Sequence, residues 1–156
     1  TLSIHSFPTR RSSDLAVDNW FEPGHQFEWF FLLESSDVLR GTPLHASLTR
    51  AFAYAEHKGV DKQTGAVSGM LTLDGSVRDG TQRIWAQAEY LRALTLRPGS
   101  EAVLRRQLLA LQQRFLHAKG WHECLDEEGR VSRRDMPSTT PYHLATCYQG
   151  LVKVLG

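Results

Sequence analysis

Apolar positions along the chain form two kinds of helical run. In residues 25–34 (HQFEWFFLLE), 84–96 (IWAQAEYLRALTL) and 142–155 (YHLATCYQGLVKVL) they go nearly all the way round the helix. A helix apolar on every side belongs in an interior. Two other runs are one-sided. In 43–58, Leu44, Leu48, Phe52 and Ala55 make a stripe, with Arg50, Glu56 and Lys58 off it. In 101–119, Leu104, Leu108, Leu111 and Phe115 repeat at helical spacing, away from Arg105, Arg106, Gln112 and Gln113. Such helices cover a core and face water.

The order is therefore inner, outer, inner, outer, inner. After each outer helix comes a Gly-containing polar stretch with strand character. In 66–77 the turn signal is Asp74-Gly75, and in 121–131 it is Glu128-Gly129. The unit of inner helix, outer helix and hairpin returns after about 60 residues, the scale of a structural repeat. His25, Trp85 and His143 mark its three beginnings. Alternating inner and outer helices describe an all-α, α/α-barrel architecture with short β-hairpins between helix pairs. The repeats present are too few to close a ring, so residues 16–156 are expected to be one partial barrel domain.

Composition narrows the classes. A net charge of +1 gives no basic stripe for nucleic acid. No apolar run reaches the ~20 residues of a membrane-spanning helix. Cys124 and Cys147 lack a C-x-x-C pattern and read as free thiols of a reducing, cytoplasmic protein. Residues 1–15 (TLSIHSFPTRRSSDL) have neither helical nor strand period, and HSFPTRRSSDL resembles a translated sequencing adaptor. They are expected to be non-native and disordered, so His5, Arg10 and Arg11 receive no role. The chain is then expected to begin within a longer gene.

Helix starts gathered at one end of a barrel bring their first-turn side chains into one cleft. The candidates are His25 and Glu28, then Trp85, Gln87 and Glu89, then His143. Pro23-Gly24 and Pro141 are start signals for the first and last inner helices. His25 and Glu28, three apart, share a face, so the carboxylate is expected to orient the imidazole. Histidines on different helices can act as an acid/base pair at neutral pH. Trp85 offers a flat face to the C–H side of a sugar ring, and Gln87 and Glu89 can bond hydroxyls. Against each stands a plainer role: core packing for Trp85, a structural ion pair for His25 and Glu28. His45, His57 and His117 are expected on outer helices, in solvent. No zinc-protease, phosphate-loop, serine-hydrolase or dinucleotide motif is present.

The stretches EPGHQFEWFFLL, RIWAQAEYLRAL and WHECLDEEGRVSRRDMPSTTPYHLA resemble the C-terminal part of the N-acylglucosamine 2-epimerase superfamily. The resemblance covers nearly all of residues 18–155. It implies an (α/α)6 barrel of which this chain supplies about five helices. It implies that His25 and His143 are the catalytic pair, that Glu28 is the helix-start carboxylate, and that Trp85 and Glu89 contact the sugar. The last stretch is closest to the mannose-isomerase branch. Ala86 and Ala88 depart from that branch at positions where it usually carries Pro and Thr. The implied reaction is aldose–ketose isomerisation of a monosaccharide through an enediol, without metal or other cofactor. The isolated chain is expected to have little activity.

Other readings stay open. The same residues could belong to a 2-epimerase acting on N-acylglucosamine or cellobiose. A glycoside hydrolase on the same barrel would need two carboxylates flanking the bond, for which Glu28 and Glu89 are available. An inactive fragment or an α/α interaction scaffold, self-associating as a homo-oligomer through apolar flanks, needs neither histidine.

Overall fold

The computed structural model describes residues 19–156. The short strand β1 (Trp20–Phe21) leads into helix α1 (Pro23–Glu34), and α2 (Pro43–Gly59) follows. A hairpin of β2 (Met70–Thr72) and β3 (Val77–Asp79) precedes β4 (Gln82–Arg83), which runs straight into α3 (Ile84–Leu94). Then come α4 (Glu101–Phe115), the hairpin β5 (Leu116–His117) and β6 (Gly120–Trp121), the hairpin β7 (Cys124–Leu125) and β8 (Val131–Arg133), and α5 (Thr140–Leu155).

The five expected helices are present, and α3 is the centre. Helix α1 packs against α3 and α2, while α3 also packs against α5 and α4. Thus α1, α3 and α5 form an inner layer, with α2 and α4 outside it. All residues of α3 except Trp85 are buried. Its flanking helices are not apolar for the same reason all round: Trp29 and Leu32 on α1, and Tyr142, Tyr148 and Val152 on α5, remain exposed. Only α3 has inner neighbours on both sides among the described residues.

The core between α1, α2 and α3 is aromatic. Phe30 lies 4.4 Å from Phe52 between ring centroids, and Phe27 lies 4.7 Å from Tyr90. Each such buried ring contributes ~1.5–3 kcal/mol of transfer free energy. The α2 stripe is used only from its middle onward: Phe52 and Ala55 are buried, whereas Leu44 is half exposed. On α4, Leu104, Leu111 and Phe115 are buried as expected.

Both expected hairpins form around glycines with positive φ, Gly75 at 87° and Gly129 at 81°. The third hairpin was not expected. It ends α4 at Phe115, four residues short of the expected helix end, because the chain reverses at Gly120 (φ 143°) and Leu116 pairs with Trp121. His117 is therefore on a strand. It is exposed as expected, whereas His45 is partly buried, its Nε2 2.7 Å from Glu34. The expected disorder of residues 1–15 falls outside the described residues.

Two three-stranded sheets sit beside the starts of the inner helices. One has the order β1-β2-β3 and the other β4-β7-β8. In the second, Arg83 pairs with Cys124 and Cys124 with Arg133, placing the three side by side at the entrance to α3.

Candidate active site

Pro23 begins α1, Pro141 lies in the first turn of α5, and α3 starts directly from strand β4. These starts open onto one cleft of about 880 Å³, within the range of small-molecule sites. Its lining includes His25, Glu28, Trp85 and His143. Trp85 is the hub. Its indole lies 5.0 Å from the His25 ring and 5.5 Å from the His143 ring. The approach is possible because position 24 is glycine. A Cβ there would come within 2.7 Å of the Trp85 ring and 2.8 Å of Ala86 Cβ.

Each histidine is held through Nδ1. Glu89 Oε1 lies 2.6 Å from His143 Nδ1, and Glu22 Oε2 lies 2.8 Å from His25 Nδ1. An ionised carboxylate only accepts, so Nδ1 carries the proton in both rings and Nε2 is the nitrogen left for chemistry. The pairing of His25 corrects the sequence expectation. Its carboxylate partner is Glu22, at the N-cap of α1, and not Glu28. That hydrogen bond raises the His25 pKa above the ordinary imidazole value, outweighing the partial burial that opposes it.

Glu28 instead points toward a buried ionic group. Arg92, 2% exposed, meets Glu89 Oε2 at 2.5 Å, lies 4.0 Å from Glu28, and donates to Thr146 Oγ1 at 3.0 Å. The Arg92–Glu89 contact is an ion pair at close range with misaligned N–H vectors, since neither Oε2 nor Nη2 completes a directional hydrogen bond. Arg92 also stacks 4.3 Å over Phe31. It thereby ties α1, α3 and α5 together below the cleft. Arg92 was not among the sequence candidates, although Glu89 and Arg92 are an i, i+3 pair in a mostly apolar helix.

Acceptor atoms of Glu28, Glu89 and His143 come within 4.8 Å of one another, a spacing that could hold a cation. Arg92 already supplies positive charge to both carboxylates of that group. Both thiols are buried and free. Burial pushes the Cys147 pKa up to about 12 and raises that of Cys124, so neither supplies a thiolate nucleophile near neutral pH.

Gln87 is the expected site residue that does not join the others. It is 1% exposed and faces the outer layer. Its Nε2 donates to the Val67 carbonyl at 3.2 Å, and its Oε1 accepts from Val67 N and Gln107 Nε2, each at 3.3 Å. Buried in that network and absent from the cleft lining, the amide does not face a bound sugar. Conversely, Arg83, Glu123, Arg133, Thr140 and Tyr142 line the cleft without having been singled out as site residues.

Fold and cleft together define a protein of layered inner and outer helices with paired, carboxylate-oriented histidines at the inner-helix starts. The chain belongs to the N-acylglucosamine 2-epimerase family, whose sequence model matches residues 8–147. It is 34% identical over 136 residues to a mannose-6-phosphate isomerase of Rhizobium meliloti (strain 1021), covering 79% of this chain and 35% of that protein. The crystal structure of a D-mannose isomerase superposes with a TM-score of 0.68 at 28% identity, covering 85% of this chain and 37% of that one. The cellobiose 2-epimerase of Spirochaeta thermophila DSM 6192 shares the fold, with a TM-score of 0.70 at 14% identity over 88% of this chain and 39% of that one. The chain thus spans about a third of the length of the curated relatives it matches. Among the described residues, no helix is long and apolar enough to cross a membrane.

Proposed function

We propose that this chain carries the acid/base cleft of a sugar isomerase that interconverts an aldose and a ketose of the mannose–fructose type. The observation that carries the reading is the placement of His25 and His143 beside Trp85, 5.0 and 5.5 Å from its ring, in one cleft, each with Nδ1 held by a carboxylate.

In this reading the open-chain sugar lies against Trp85. His143 Nε2 takes the proton from C2 while His25, whose protonated form Glu22 favours, gives a proton to the C1 carbonyl oxygen. The product is a neutral enediol. Return of a proton to C1, with loss of the O2 proton, gives the ketose; return to C2 from the other face, with loss of the O1 proton, gives the epimer. Glu89 stabilises the imidazolium that forms on His143, and Arg92 holds Glu89 in place. The closed (α/α)6 ring belongs to the same proposal, with the exposed flanks of α1 and α5 meeting further helices.

The names of the mannose-isomerase relatives support this reading. A hydrolase is less well supported. It would need Glu89 beside the scissile bond, but that side chain is fully buried between His143 and Arg92. The test is deuterium incorporation from solvent into mannose and fructose, in a protein of the relatives' length that carries this chain. Exchange with conserved sugar mass supports isomerisation, and release of a smaller sugar from a disaccharide refutes it. Exchange confined to C2 without ketose identifies an epimerase.

A further inference from the structure

Helices α3 and α5 carry Trp85, Glu89 and His143, yet neither is capped by its own sequence. The N-cap residues Arg83 and Thr139 make no side-chain capping bond, and no acidic residue stands in either first turn. A helix start left in that state has unsatisfied N–H groups and no anion to meet its dipole.

One residue outside both helices bonds to both starts. Glu123, in the loop between β6 and β7, is 5% exposed. Its carbonyl accepts from Ile84 N, the first residue of α3, at 3.1 Å, and its own N–H donates to the Arg133 carbonyl at 3.0 Å. Its carboxylate accepts from Thr140 Oγ1, the first residue of α5, at 3.0 and 2.9 Å. Trp121 Nε1 donates to Oε2 at 3.0 Å and fixes the carboxylate from behind. Thr140 is itself 2% exposed and stands one turn from His143.

We infer that Glu123 is a positioning residue for the proton-transfer site. It joins the starts of α3 and α5, and so holds His143 in register with Glu89 and Trp85. The backbone of Glu123 accepts from the first N–H of α3 and its carboxylate from the Thr140 hydroxyl of α5, so changing the side chain releases α5 and leaves the α3 bond in place. The inference rests on the proposed reaction only for its catalytic consequence; the placement of His143 is independent of it.

The two are tested separately. In the 156-residue chain with 15N-labelled histidine, the His143 Nδ1 proton, held at 2.6 Å from Glu89, gives a downfield resonance. Glu123→Ala is expected to shift or abolish it while the far-UV circular dichroism stays that of a folded chain. Glu123→Gln, which keeps one acceptor, gives a smaller change in the same direction. Gln107→Ala, a buried polar loss on the outer layer, leaves the resonance in place. If Glu123→Ala does not fold, Thr140→Val is judged by the same resonance. A folded Glu123→Ala or Thr140→Val chain with an unmoved His143 proton overturns the inference, whatever reaction the protein performs. In a protein of the relatives' length, kcat should fall about 10²-fold with KM little changed, the penalty of a small displacement of a catalytic group.

Discussion

Replacing Glu89 by Gln preserves shape and removes one buried negative charge. The consequence can be worked from three contacts. Arg92 is 2% exposed and loses its partner at 2.5 Å. What remains to it is the Thr146 hydroxyl at 3.0 Å, Glu28 at 4.0 Å and the Phe31 ring at 4.3 Å. His143 loses a charge-assisted bond of 2.6 Å. Stranding one member of a buried ion pair typically costs ~3–5 kcal/mol. Glu28 and the Gln amide recover part of it, so the low end, ~3 kcal/mol, is expected. At ~2–4 °C per kcal/mol for a chain of this size, the melting temperature should fall by ~6–12 °C. Urea unfolding of both chains gives the difference directly, as a lower midpoint at unchanged m-value. A loss under ~1 kcal/mol would refute the reasoning, because it would mean that the pair is solvated or was never net favourable. A gain in stability would mean that desolvating Glu89 outweighs its attraction to Arg92.

Three further outcomes follow from individual contacts. Gly24→Ala should destabilise the chain by ~1–3 kcal/mol and alter Trp85 fluorescence, because the added methyl overlaps the fixed Ala86 Cβ and pushes the Trp85 ring toward the cleft. Gln87→Ala should cost ~1–3 kcal/mol by leaving buried partners unsatisfied, with sugar binding in the cleft unaffected. His25 is raised by its bond to Glu22, so protonation is favoured in the folded state. The resulting stabilisation is present below the ordinary imidazole pKa and fades as pH rises through the raised one. Glu22→Gln should lower the His25 pKa in an NMR titration and flatten that part of the stability profile.

The helices were legible because each inner and outer run keeps its period for several turns. The hairpins were legible because Asp74-Gly75 and Glu128-Gly129 need residues that tolerate positive φ. The hairpin at Gly120 was hidden by a leucine stripe that runs on to its edge. In the site, Trp85 and Glu89 are four apart and share a face, so their grouping followed from helix geometry. Gln87 is two residues from each and lies on the opposite face, a conflict that the same geometry could have exposed. The choice of Glu22 over Glu28 by His25 was not local. Both stand three residues away, and Glu28 lies toward Arg92, which α3 brings from 64 positions further along the chain. Glu123 was hidden for a similar reason, since its value lies in joining two helices that meet only in the fold.

The central claim is that His143 and His25 move protons on one bound sugar. Its most direct measurement is solvent-deuterium incorporation at C1 and C2 of mannose and fructose, followed by NMR in a protein of the relatives' length. The wild-type sequence should incorporate deuterium as it interconverts the two sugars. His143→Ala should lower that rate by ~10²–10⁴-fold without unfolding the protein, and His25→Ala should be comparably severe. Undiminished exchange in a folded His143→Ala protein would contradict the two-histidine account.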